Sequence, residues 1–228
     1  MELLEDLFQF LVAFKDGLLY FLPGVGRPDR VLTLIVGHLT ITFAAVLLAT
    51  AAGVALGILI TRVRALYGPV IAVAGMIYTI PSLALFGLLI PLVGIGVRPA
   101  IIALTLYSLL AIIRNTAVGL NEIDSAIIEA ARGMGMTNSQ ILTRIELPLA
   151  LPVMFAGIRL ATVAAISLAT IASYFGASGL GSLLFEGLAA GGTRNDKIIA
   201  GALAASALAI LFNRLIGRAE AALRQKTM

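Results

Sequence analysis

The feature that most constrains this chain is a series of apolar segments, each long enough to cross a lipid bilayer. A membrane-spanning helix needs about 20 mainly apolar residues, and five segments qualify: about 37–60, 69–92, 98–119, 149–172 and 197–216. Only 12% of the residues are charged, against roughly 25% in a soluble domain. The runs are also unlike the alternating ten-residue strands of a membrane barrel. The sequence therefore predicts an all-α integral membrane protein with five transmembrane helices.

The two ends of the chain differ from this apolar middle. Residues 1–30 contain an apolar face that Lys15 and Asp16 interrupt, which favours an amphipathic helix at the membrane interface over a sixth span. The acidic start differs from the basic start of a signal peptide, and two Gly and two Pro in residues 23–29 predict a turn. We expect a transmembrane domain over residues 31–217 and a cytoplasmic tail over residues 218–228.

Positive charge is distributed unevenly over the connections between these segments. With the C-terminus in the cytoplasm, nine Arg and Lys residues fall inside and six fall outside. Cytoplasmic loops carry an excess of Arg and Lys, so we expect an N-out/C-in orientation with residues 120–148 in the cytoplasm. The same bias accounts for the net charge of +4 without a nucleic-acid partner.

Residues 120–148 form a connection of about thirty residues where most others are short, and long structured loops are usually functional. Asp124 or Ser125 can cap a first short helix, and residues 137–140 can cap a second. Gly135 permits the chain to reverse between them. Exposed Glu129 and Arg132 would be available to a partner protein. The alternative is a surface helix that rests on the membrane without a partner.

A few residues within the apolar segments are candidates for the lining of a pathway. Pro81, followed by Ser82, should kink or break the second segment, as in the broken helices of transporters. Tyr78 and Tyr107 offer ring faces to a quaternary ammonium by cation–π attraction, or else are packing aromatics. Arg159 lies about ten residues into the fourth segment and requires pairing, hydration or snorkelling to the headgroups.

The sequence also lacks the residues that several other functions require. It has no Cys and a single His, His38, so we expect no metal site. None of its Lys residues follows a phosphate-cradling Gly-rich loop, so ATP would have to be bound by another chain. No catalytic constellation is recognisable, which argues against an enzyme. The five apolar segments contain no Asp or Glu, which argues against an ion-coupled transporter or channel.

The long loop resembles a known motif. Glu129-Ala130-Ala131, three residues, Gly135, nine residues, and Ile145-Glu146-Leu147-Pro148 resemble the EAA motif of bacterial ABC-importer permeases at every defined position. The resemblance implies the type I importer permease fold, with this loop forming coupling helices that dock on ATP-binding subunits. It assigns the ATPase-coupling role to eight residues: Glu129, Ala130, Ala131, Arg132, Gly135, Ile145, Leu147 and Pro148.

A narrower resemblance covers residues 37–217. Residues 80–85, 90–96, 113–120 and 156–159 are similar to the quaternary-amine (glycine betaine, carnitine, choline) osmoprotectant permeases. The Gly-rich run from Gly176 to Gly181 departs from that family at Ser178, where a second Gly is more frequent. In the fold it resembles, residues 173–196 contribute a short gate helix, with Gly176, Gly179 and Gly181 as candidate hinges.

The resemblance implies a set of partners in a bacterial or archaeal plasma membrane. They are two ABC ATPases that hold ATP and Mg²⁺, a second permease subunit, identical or similar, and an extracytoplasmic substrate-binding protein. This chain itself would bind no cofactor. Within the class, the alternative is a methionine-type amino-acid importer. The rival of another class is an ion-coupled secondary transporter or channel.

Overall fold

The structure is a computed structural model that describes residues 2–22, 26–191 and 193–227. The elements in that part of the chain are helices, which confirms the all-α prediction. Residues 23–25, in the predicted turn, lie outside the described residues. In chain order the helices are α1 Glu2–Leu19, α2 Pro28–Arg62, α3 Tyr67–Thr79, α4 Ser82–Val93, α5 Val97–Asn121, α6 Ser125–Gly133, α7 Asn138–Ile141, α8 Leu147–Ala172, α9 Gly181–Ala189 and α10 Asn195–Thr227.

Four described helical stretches are long and apolar enough to cross a membrane: Pro28–Arg62, Val97–Asn121, Asn138–Phe175 and Asn195–Gln225. A fifth candidate is the pair Arg64–Thr79 and Ser82–Val93, which is bent by 97°. The break falls at Pro81, where the sequence places it, because the residue before a proline avoids helical geometry and Ile80 is extended. α1 is helical, as expected for the N-terminal segment, and is not among these candidates.

The helices run further than the apolar segments from which they were predicted. The first candidate span begins at Pro28 rather than near residue 37, and the last extends to Gln225 rather than near residue 216. The hydrophobic pattern indicates only the part of a helix that lipid surrounds. Helical hydrogen bonding continues beyond that part, through polar residues. The extensions contain carboxylates, Glu146 and Glu220, that the apolar segments lack.

The described chain forms two compact units. One comprises Met1–Ala44, Ser82–Leu104 and Ala165–Ile210. Its core is a cluster of apolar side chains from the start of α2, from α9 and from the first half of α10, together with Tyr20. The buried members of this cluster are Tyr20, Val31, Leu34, Leu180, Leu183, Ala200 and Ala204.

The other unit comprises Ala45–Pro81, Thr105–Ala164 and Leu211–Met228. Small residues let its helices approach closely, as is usual in membrane bundles. A Cβ placed on Gly57 of α2 would lie 2.6 Å from the Thr116 side chain of α5. Buried Ile60, Ala74, Ile113 and Ala117 form one apolar cluster of this unit, and Ala49, Ile112 and Ala161 form another.

Candidate functional site

The first helix of the long loop, α6, begins with a side-chain cap. Asp124 accepts a hydrogen bond from the backbone N–H of Ala126 at 2.9 Å, which satisfies one of the free donors at a helix start. Glu129, Ala130 and Arg132 are exposed. Ile127 and Met134 also expose 43% and 75% of their surface. The helix therefore presents a mixed charged and apolar surface, a composition suited to contact with another protein.

The chain reverses after α6 at Gly135. The N–H of Met136 donates to the carbonyl of Ala131 at 3.1 Å, and the N–H of Gly135 donates to that of Arg132 at 2.9 Å. This is the Schellman arrangement, which places a left-handed residue just after the helix. Gly135 has φ +79°, a conformation that costs a residue with a side chain but not glycine. The motif glycine is therefore required by backbone geometry.

The second loop helix, α7, begins with a capping box. The hydroxyl of Thr137 accepts from the N–H of Gln140, and the Gln140 side chain accepts from the N–H of Thr137 at 2.8 Å. The helix then widens into a π turn over Leu142–Glu146 and continues into α8. The second loop helix and the fourth predicted span therefore belong to one helical stretch, Asn138–Phe175. The widened turn ends two residues before Pro148, which has no N–H to give a regular helical bond.

Three motif residues at the end of the loop are only partly exposed to solvent. Ile145, Leu147 and Pro148 are half-buried in the π turn and in the first turn of α8. The buried member of this stretch is Glu146, which sequence reasoning quoted as part of the motif but did not single out. Its side chain is 10% exposed and pairs with Arg62, the last residue of α2.

The salt bridge between Arg62 and Glu146 is bidentate. Nη1 of Arg62 donates to Oε1 of Glu146 at 3.2 Å, and Nη2 donates to Oε2. Two parallel bonds between a guanidinium and a carboxylate fix geometry as well as charge. No signal in the local sequence joins residues 84 positions apart.

The broken span brings two predicted aromatics together. The rings of Tyr78 and Tyr107 pack edge to face, with centroids 6.1 Å apart. The hydroxyl of Tyr107 donates to the carbonyl of Ile80, next to Pro81. That carbonyl is at the end of α3, where no further helical donor follows, so Tyr107 satisfies it. Tyr107 is buried, while Tyr78 leaves 52% of its surface exposed. Ser82 starts the next helix, α4.

Arg159 of α8 pairs with a residue of α10. Its Nε lies 3.1 Å from Oε2 of Glu220. The guanidinium lies close to Gly217 of α10, where a Cβ would be in van der Waals contact with Nη1 at 3.5 Å. The apolar pattern ended the last span near residue 216, so this partner could not be predicted. Pairing is one of the few ways in which a membrane helix can keep an arginine at low cost.

The Gly-rich segment leads into the expected short helix, α9. Gly176 has φ +83° and ends a turn of 3-10 helix over Ser173–Phe175. Gly181 has another role, since a Cβ there would lie 1.9 Å from the carbonyl oxygen of Thr170. Close packing alone therefore demands glycine at 181. Gly179 lies against Ser173 and His38 in the same way.

His38 holds the start of α9 and was missed as a structural residue. It is fully buried in α2. Its Nε2 lies 2.9 Å from the carbonyl oxygen of Ile166, and its Nδ1 accepts from the N–H of Leu180 at 3.3 Å. A neutral imidazole protonated at Nε2 satisfies both contacts. One side chain thus connects α2, α8 and the residue just before α9.

Glu186 anchors the middle of α9 to two cations. Lys197 of α10 donates to its Oε2 at 2.7 Å, and Arg30 of α2 donates to its Oε1. Burial raises the pKa of the Glu186 carboxyl, but the hydrogen bonds from Lys197 and Arg30 outweigh burial, so its pKa lies below the usual range. The short helix is therefore held at both its start and its middle.

Comparison with known proteins places this geometry in context. Over residues 49–227 the chain matches the family described as "Binding-protein-dependent transport system inner membrane component". The carnitine transport permease protein OpuCB of Listeria monocytogenes is 44% identical over 191 residues, which are 84% of this chain and 87% of that protein. The osmoprotectant import permease protein OsmW of Salmonella typhimurium is 47% identical over 194 residues, and the match covers 83% of this chain and 89% of that protein.

A solved structure supports the same conclusion at the level of the fold. A chain of the MetNI methionine ABC transporter, from a study of its inward-facing conformations, superposes with a TM-score of 0.78. It is 24% identical, and the match covers 86% of this chain and 97% of that chain. This likeness confirms the fold that the motif resemblance implied.

Proposed function

Because the chain belongs to the family of binding-protein-dependent transport system inner membrane components, we propose that it is the permease subunit of an ATP-driven importer of quaternary-amine osmoprotectants such as glycine betaine, carnitine and choline. The observation that carries the proposal is the long loop. Its EAA spacing coincides with a capped, exposed helix and a Schellman reversal at Gly135. Relatives with 44% and 47% identity are named for carnitine and osmoprotectant transport.

In this proposal the loop is where ATP energy is received. Two ABC ATPases, which hold ATP and Mg²⁺, dock on α6 of two permease subunits through Glu129, Ala130 and Arg132, while Ala131, which is buried, packs α6 against its own subunit. Exposed Ile127 and Met134 supply apolar contact area beside these charges. Gly135 fixes the angle of the docked helix, and Ile145, Leu147 and Pro148 pass its displacement into α8. The chain itself catalyses no reaction.

The pathway residues form a second part of the proposal. The break at Pro81 and Ser82 opens the backbone of the second span, and Tyr78 offers an exposed ring face to a quaternary ammonium. Tyr107 positions that ring and satisfies the carbonyl at the break. α9, with Gly176, Gly179 and Gly181 before it, acts as the outer gate. Arg159 stabilises α8 against α10 rather than contacting cargo.

The remaining partners follow from the same assignment. An extracytoplasmic binding protein selects the substrate and delivers it, and the complex resides in the plasma membrane of a bacterium or archaeon in the N-out/C-in orientation. The methionine-type alternative is less favoured, since the methionine transporter structure is 24% identical whereas the osmoprotectant relatives exceed 40%. An ion-coupled mechanism is disfavoured because Glu146 and Glu220 are both ion-paired.

The test alters the loop in the assembled transporter. We expect Glu129→Lys to reverse the charge that meets the ATPase, and Gly135→Val to strain the left-handed turn, so that both reduce ATPase co-purification and ATP-dependent uptake. Glu122→Lys is the matched control for charge, because Glu122 is exposed on the same loop outside the motif. Gly133→Ala is the control for glycine, because nothing lies within 4 Å of a Cβ there. Normal ATPase association and uptake in both motif variants would contradict the proposal.

A further inference from the structure

The strongest unexplained feature of the loop is the carboxylate of Glu146. Glu146 is the last residue of the π turn, between the exposed loop helices and the long helix α8. It is 8% exposed. Burying a carboxylate is costly unless it is paired and hydrogen-bonded. A residue that only filled space at this position would not need a charge, so the carboxylate requires a separate explanation.

Its partner lies on a different helix. Arg62 ends α2, and its guanidinium meets both carboxylate oxygens of Glu146. Arg62 keeps 46% of its side chain exposed, so one end of the pair is anchored in the unit and the other is accessible to water. The contact joins the π turn, one end of the proposed coupling element, to α2, which the EAA motif does not include.

The π turn is itself suited to movement. Its backbone bonds run from residue i+5 to i, with the N–H of Leu147 donating to the carbonyl of Leu142. Such turns are less regular than the α-helix and occur frequently at functional sites. We therefore expect the helix to bend most easily at Leu142–Glu146 when α7 is displaced. Without a second attachment, that displacement would be absorbed there as a local bend.

We propose that the Arg62–Glu146 pair is the link that carries displacement of the coupling loop into α2, so that α2 and α8 move together when the partner ATPases close. The inference rests on the proposed function, because it presupposes that the loop receives ATP-driven motion. Arg62 and Glu146 are positioning residues, and neither touches substrate. Their pairing converts a flexible turn into a rigid connection between two spans.

The test measures how many substrate molecules are transported per ATP hydrolysed by the complete transporter in proteoliposomes. Glu146→Gln keeps the shape and removes the charge, and Arg62→Gln removes the other partner. We expect both to assemble with the ATPases and to hydrolyse ATP, while transport per ATP falls by about tenfold or more, since either substitution breaks the two-bond contact that fixes the π turn to α2. Arg64→Gln and Arg144→Gln are matched controls at exposed arginines next to each partner, and we expect the wild-type ratio in both.

A charge-swapped variant separates linkage from stability. In Arg62→Glu with Glu146→Arg, the pair is restored in the opposite sense, and we expect recovery of much of the lost ratio. Wild-type ratios in Glu146→Gln and Arg62→Gln would overturn the inference. The inference would also be overturned if uptake and ATP hydrolysis fell only in proportion to the amount of assembled complex, and if the charge-swapped variant did not restore them. Failure of the proposed function would appear differently, as a wild-type complex without substrate-dependent ATP hydrolysis.

Discussion

At the scale of single residues, several charged side chains of the described helices pair with a residue of another helix. Arg159 meets Glu220, Arg62 meets Glu146, and Glu186 is shared by two cations. The Glu186–Lys197 pair joins the consecutive helices α9 and α10, and the other pairs join helices that are not consecutive in the chain. In lipid, an unpaired charge has few alternatives, so these contacts determine which helices stay together as well as how strongly.

The Arg159–Glu220 pair provides a stability prediction. The side chains are 37% and 22% exposed, so the pair lies between an exposed ion pair and a fully buried one. We expect Glu220→Gln to lower the free energy of unfolding by about 1–2 kcal/mol. Thermal unfolding in detergent of the two single variants and of the double variant Arg159→Gln/Glu220→Gln gives the coupling energy. Strictly additive effects would show that the two side chains do not interact.

Gly181 provides a packing prediction. An alanine methyl at this position would lie 1.9 Å from a backbone oxygen of α8, and backbone cannot move aside as a side-chain tip can. We expect Gly181→Ala to destabilise the protein by about 1–3 kcal/mol or more and to reduce uptake. Gly68→Ala is the control, because nothing lies within 4 Å of a Cβ there. Equal unfolding temperatures for the two variants would contradict the close approach.

At the scale of elements, the short helix α9 depends on its neighbours for its position. It has nine residues, too few for an isolated helix to be stable in water. His38 holds the residue before its first turn, Leu180 and Leu183 fill the core of its unit, and Glu186 fixes its middle. These three attachments are chemically distinct, so each can be removed separately to test the gate role proposed for α9.

Glu186 makes the attachment of α9 sensitive to acid. Its pKa in the folded protein is held below the ordinary value of 4.5, so its contribution to stability is complete above that value and is lost as pH falls through the folded-state pKa. We expect the protection of the α9 amides, measured relative to their intrinsic exchange rates, to fall as pH drops through the lowered pKa of Glu186. Glu186→Gln should show fast exchange at neutral pH as well, with a weaker acid dependence. Identical exchange profiles for the variant and the wild-type protein would exclude this role.

At the scale of the whole molecule, local chemistry was predictable from the sequence and distant pairing was not. Asp124, Thr137 and Gly135 act on residues within five positions of themselves, so their caps and turn could be predicted. The break at Pro81 followed from proline geometry alone. Glu146 and His38 have partners 84 and 128 positions away. Those contacts exist only once the helices have packed.

The same distinction explains why the helices extend beyond the predicted apolar segments. A hydrophobic run indicates where lipid surrounds a helix, not where its hydrogen bonds stop. α10 therefore continues past residue 216 through Glu220, and the fourth span is continuous with the second loop helix. Both extensions contain a carboxylate that pairs with an arginine. Each of these two ionic links therefore has its carboxylate in a part of a helix that hydropathy missed.

The proposed cargo provides a prediction for the assembled transporter. In proteoliposomes with the cognate ATPase and binding protein, we expect unlabelled glycine betaine, carnitine or choline in about tenfold excess to reduce uptake of a labelled quaternary amine to roughly one tenth, by simple competition for one site. Methionine at the same excess serves as the control and should have no effect. Inhibition by methionine alone would favour the amino-acid alternative.

The π turn has a further consequence for the length of the chain. At Leu142–Glu146 the helix holds one residue more than α geometry would use. Removing one residue there would let the turn tighten while the segments on either side kept their facing. Removing one residue inside α8 would instead rotate everything before it by about 100° and draw it in by about 1.5 Å. The helix that joins the loop to the membrane can therefore lose one residue at the π turn, next to the loop, without a change in the facing of its two ends.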